Sequence, residues 1–164
     1  MTALRLHRVR ALTSSLVEGV AVGAVLAGRE HPPWSRRRVL TAAAAGLAVV
    51  GDQLSAELPR ALRDSWATGE PGPPPPHERL ARVHGGIRAL GLGLLVQVLD
   101  RPVRDRLALS GVRRPHRWWG AAVALAHTAV LVPVHWRLAA DRYAAELARD
   151  AAVEAELQRI VAGA

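Results

Sequence analysis

Four apolar stretches, each at or near the roughly 20 residues that a helix needs to cross a bilayer, constrain this chain more than any other feature. The first, 11–28 (ALTSSLVEGVAVGAVLAG), is interrupted by one acid, Glu18. The second follows the basic run Ser35, Arg36, Arg37, Arg38, reads VLTAAAAGLAVVG from Val39 and turns polar at Asp52, Gln53 and Glu57, giving bounds of 39–57. Its alanines scarcely prefer lipid to water, so it depends on its neighbours to insert. The third, 83–100, is cleanly apolar only from Ala89 to Leu99 and reaches spanning length across His84 and Arg88. The fourth, 118–140, has Trp118 and Trp119 at one end and Trp136 towards the other, the distribution that membrane interfaces favour. Pro133 within it is expected to kink it at most.

Runs of Ala, Leu and Arg favour helix, and no alternating β-branched run argues for strands. The expected fold class is therefore all-α: an integral membrane bundle of four transmembrane helices in two hairpins, with a C-terminal helical extension. A chain of 164 residues has room for one such domain. A linker over 68–78 (TGEPGPPPPHE) joins the hairpins, its prolines favouring an extended polyproline conformation. A Pro-rich recognition peptide is the sharper alternative for that segment. The tail 141–162 carries Tyr143, Leu147, Ala151, Leu157 and Ile160 along one helical face and is read as the fourth helix continuing into water, with self-pairing as the alternative. Two basic turns, REHPPWSRRR from Arg29 and RRPHRWWG from Arg113, resemble one another enough to raise an internal duplication. Arg5, Arg8 and Arg10 ahead of an apolar run also fit a signal peptide, against which the acid Glu18 in mid-run argues.

Mean hydropathy is only +0.10, so the membrane reading rests on how apolar residues cluster and not on how many there are. All 22 basic residues are Arg; Lys, Asn and Phe are absent, and Ile occurs only at 87 and 160. These scarce types share AT-rich codons, which points to a GC-rich bacterial genome and not to selection for arginine chemistry; with four spans, the expected location is the bacterial inner membrane. With no Cys, thiol and disulfide chemistry are excluded, and a metal site would need His, Asp and Glu. No metal or cofactor is expected. Positive residues flank both ends of the spans, so orientation is finely balanced; the turns holding Arg29, Arg36–Arg38 and Arg101–Arg117 are placed in the cytoplasm.

Placing polar residues by depth, at about 1.5 Å per residue along four alternating helices, brings Glu18, Asp52, Glu57, His84, Arg88 and His135 to one leaflet, with His127 nearer the middle. Ionisable groups at such depth face the bundle interior and find partners. The specific expectation is an ion pair of Arg88 with Glu18 or Asp52. The cluster Glu18, Asp52, Arg88, His127 and His135 then either neutralises itself so that weak helices insert, or forms a relay or polar-substrate pocket. Gly19 and Gly23 form a GxxxG step that lets helices approach closely, within the bundle or between two copies.

No zinc helix HExxH, nucleophile turn GxSxG or phosphate loop GxxxxGK[ST] occurs, and the paired-glutamate EExxxR signature of intramembrane CAAX proteases is absent. The net charge of +8 raises nucleic-acid binding. Yet the arginines sit in turns beside apolar spans and the chain has one Tyr and no Phe for stacking, so anionic lipid head groups are the simpler partner. The expected role is a non-enzymatic scaffold or accessory subunit. A transporter-like or enzymatic protein using the polar cluster, and a soluble Arg-rich DNA-binding regulator, are the alternatives. Partners are the bilayer and a second copy or another membrane protein.

Overall fold

A computed structural model describes residues 3–69 and 73–163. Four long helices, α1 (Ala3–Ala27), α2 (Arg36–Thr68), α3 (Pro76–Leu109) and α4 (Pro115–Gly163), account for nearly all of them, and no strand occurs among the described residues. Each helix contains a segment long and apolar enough to cross a membrane.

The helices outrun the expected spans, which follow apolar run length, and proline does not end them. Pro59, Pro102 and Pro133 all lie inside helices, each removing one backbone donor without breaking the rod. The 68–78 linker is correspondingly shorter than expected: α2 runs to Thr68, Gly69 caps it in the left-handed conformation (φ 80°) with its N–H on Ser65 O, and α3 starts at Pro76. Positions 70–72 of that linker lie outside the described residues. The tail 141–162 is no separate element; it continues α4 without interruption, and from Leu147 onward it is exposed.

The spine of the molecule is α1 against α4. Gly19, Gly23 and Gly120 sit at their crossing: a Cβ on Gly23 would lie 2.5 Å from Gly120 O, and one on Gly120 2.5 Å from Gly23 O. A Cβ on Gly19 would collide with the Thr128 hydroxyl. The GxxxG step is thus filled within the chain by α4, with Gly120 as the counterpart the sequence reading did not single out. Helix α2 packs on α1 and α3 packs on α4.

Both outer helices present a single narrow inner stripe at helical spacing, Thr41, Ala45, Val49, Asp52 and Ala56 on α2, and Ala81, Gly85, Ala89, Leu92 and Val96 on α3. Beneath them lies a small core of Leu26, Val96 and Val123, with Val22, Leu92 and Trp119 against it. Only 6% of the most apolar window of α2 and of α3 is buried, against 39% in α1 and 22% in α4. The outer helices therefore turn most of their leucines and valines outward.

The two basic turns meet at one end. Ser35 caps α2, accepting from Arg38 N, so Arg36–Arg38 form the first turn of α2 instead of a loop before it. Gly111 (φ 80°) closes α3, with Val112 N–H reaching back to Leu107 O. Glu30 from the first turn accepts from the backbone N–H of His116 at 2.8 Å, capping α4 across the gap, and Arg29 pairs with Asp100 at 2.7 Å.

Candidate functional site: a cleft between the outer helices

No backbone approach joins α2 to α3 among the described residues. What lies between them, floored by α1 and α4, is a cleft with two differently built sections. The polar section, about 500 Å³, is lined by Glu18, Asp52, Glu57, Glu78, His135 and three guanidiniums, those of Arg10, Arg82 and Arg142. Each guanidinium holds a carboxylate on a neighbouring helix: Arg10 to Asp52 at 3.1 Å, Arg82 to Glu57 at 2.7 Å, Arg142 to Glu78 at 3.1 Å. Arg10 also donates to the Asp52 carbonyl and the Ser55 hydroxyl. These pairs tie α1 to α2, α2 to α3 and α3 to α4, so the ring of charges holds the rim of the cleft together.

Of the five residues singled out from the sequence, the structure brings four together and leaves one out. Glu18 lies 3.8 Å from His135 Nε2 and 4.0 Å from His127 Nε2, and Asp52 faces the same cavity. Arg88 does not join them: it is exposed and forms no ion pair among the described residues. The expected pairing is corrected to Arg10 with Asp52. The reason is angular, since α3 packs through Ala81, Gly85 and Ala89, and Arg88, one residue before that stripe, is turned away by about 100°. His84 points outward for the same reason. Glu18, Asp52 and His135 share one level along the bundle, whereas the rotation of α3 is carried by its small residues and not by helical rise.

Ser15, His135 and Glu18 stand in the order of a nucleophile, base and acid, with Ser15 Oγ 2.8 Å from His135 Nδ1. The arrangement is not one a substrate can use. Ser15 is 0% exposed, and its hydroxyl contacts the Ala11 carbonyl of its own helix at 2.9 Å. A hydroxyl hydrogen given to that carbonyl leaves Ser15 to accept from Nδ1–H of His135, which fixes the ring and turns Nε2 toward Glu18. Among the described residues no three His, Asp or Glu side chains are placed to hold a metal ion.

The second section, about 630 Å³, continues the cleft along the helices towards the basic turns. Val50 and Ala89 line both sections and mark the junction. Its walls are small and apolar, Ala42, Ala45 and Gly46 on α2 against Leu92, Gly93 and Val96 on α3, with His127 and Arg29 also on its lining.

No protein-family model matches this chain, and no curated protein or solved structure is detectably similar to it.

Proposed function

We propose that this protein is a multi-pass protein of the bacterial inner membrane, its four helices crossing as two hairpins, and that it serves as a non-enzymatic scaffold or accessory subunit. The observation that carries this reading is the outward face of the outer helices. Leu40, Leu47 and Leu54 on α2, with Ile87, Leu90, Leu94 and Val98 on α3, are all half or more exposed. In water such contiguous apolar surface drives association; in lipid it is the ordinary exterior of a helix. Arg88, with no ion-pair partner among the described residues, then snorkels to the interface along its own aliphatic stem.

Head groups complete the picture at the ends. Arg36, Arg37, Arg113, Arg114 and Arg117 form no ion pair among the described residues, and Trp34 and Trp118 stand beside them, 90% and 66% exposed. Arginines and tryptophans in this arrangement suit anionic phosphates and the interfacial layer.

Native Cys is absent, so single cysteines report depth cleanly. Leu47→Cys and Leu94→Cys are expected to resist a membrane-impermeant maleimide in intact membranes, since a thiol in hydrocarbon does not ionise, while Trp34→Cys labels from one side. Labelling of Leu47→Cys at the rate of Trp34→Cys removes the reading.

The open polar cleft favours a second reading, in which the protein holds a ligand between α2 and α3 as transporters do. Ser15 being sealed inside the bundle weighs against the enzymatic form of that alternative.

A further inference from the structure

We propose that the cleft between α2 and α3 is a binding site for one membrane phospholipid whose head group carries both a phosphate and an ammonium group. The inference rests on the membrane reading above and adds an occupant to it. Three observations lead there.

The first is continuity. The polar and apolar sections share Val50 and Ala89, so they form one amphipathic trough and not two pockets. The polar part lies at the end where Arg10, Arg82 and Arg142 gather, and the apolar part runs from the level of Ala21 to that of Arg29. Eight residues separate those levels, about 12 Å at the helical rise. That is most of the depth that the acyl chains of one leaflet occupy, half of the roughly 30 Å hydrocarbon core.

The second is shape. Ala42, Ala45, Gly46 and Gly93 line the apolar part, and a Cβ added at Gly46 or Gly93 would meet nothing within 4 Å. The glycines at the α1–α4 crossing are there because backbones touch; these two face unfilled space. A lining that small beside an open gap fits a slender flexible chain.

The third is charge. Four carboxylates and three guanidiniums line the polar part, already interleaved by the pairs Arg10–Asp52, Arg82–Glu57 and Arg142–Glu78. A purely anionic head would meet the carboxylates unaided, and a purely cationic one the guanidiniums. A head bearing both charges matches the lining at both ends: phosphate to guanidinium N–H groups left over from the ion pairs, ammonium to carboxylate lone pairs, Glu18 among them.

The test uses the full chain purified in detergent, stripped of lipid, and titrated with phosphatidylethanolamine or with phosphatidylglycerol under native mass spectrometry. One phosphatidylethanolamine is expected to stay bound at activation that removes other lipids. Gly93→Leu, which fills the trough, is expected to weaken that binding by about tenfold or more. Gly91→Leu is the control, because Gly91 also has nothing within 4 Å but does not line the trough; it is expected to leave binding unchanged. Equal retention of phosphatidylglycerol overturns the head-group assignment. A protein that needs detergent yet retains no lipid, or a lipid-free dimer, overturns the site while leaving the membrane reading intact. A chain that is monodisperse without detergent overturns both.

Discussion

Gly23 on α1 and Gly120 on α4 lie back to back, each so close that a Cβ on either would stand 2.5 Å from the other's carbonyl oxygen. Neither has room to yield, because the obstacle is backbone. Gly120→Val is expected to cost about 3 kcal/mol or more and lower the unfolding midpoint in detergent, as overpacking against rigid neighbours does. Gly46→Ala, with nothing near it, is expected to be neutral or to stabilise by up to about 1 kcal/mol through helix propensity. Equal losses in the two variants would contradict the α1–α4 spine.

Asp52 depends on Arg10. Its side chain is 12% exposed and the guanidinium meets its carboxylate, its carbonyl and Ser55. Arg10→Gln is expected to destabilise by about 1–3 kcal/mol, because the carboxylate is left without its cation. Adding Asp52→Asn is expected to recover a good part of that, giving a coupling above about 0.5 kcal/mol in a double-mutant cycle. Strict additivity would show that the pair carries nothing.

Arg88 is the converse case. Arg88→Gln is expected to change stability by no more than about 0.5 kcal/mol, and its effect is expected to add to that of Glu18→Gln without coupling. A coupling above 1 kcal/mol would restore the Arg88–Glu18 pair that the structure does not contain.

Trp34 adopts φ 64°, the left-handed conformation that a side chain disfavours by about 1–2 kcal/mol. Trp34→Gly is expected to relieve that cost and raise the unfolding midpoint in detergent. In vesicles, quenching of tryptophan fluorescence by brominated lipid is expected to fall in the same variant, since the exposed ring is lost from the interface. An unchanged quenching profile would show that Trp34 does not reach lipid.

The helices and the level of their polar residues along the bundle were legible in the sequence, because apolar run length and rise per residue are local properties. That is why Glu18, Asp52 and His135 share one cavity as their positions predict. Rotation was not legible. Whether Arg88 or Ala89 faces inward depends on which stripe of α3 meets α4, and only the small residues Ala81, Gly85 and Ala89 carry that information. Partnering was harder still: Arg10 reads as a flanking charge before the first apolar stretch, and nothing local shows that it reaches Asp52. The helices continue past the apolar spans, through Pro59 and Pro102, because a span's bounds follow apolar run length whereas the helix is carried on by the surrounding sequence.

Hydrocarbon or water around Leu47, Leu54, Leu90 and Leu94 is what separates a membrane bundle from a soluble one. Size-exclusion chromatography of the full chain, transferred from detergent into detergent-free buffer, addresses this directly. Precipitation or large aggregates on removal, together with a single sharp species when detergent or a lipid nanodisc is kept, is the predicted result. A sharp monomer peak in plain buffer would contradict it.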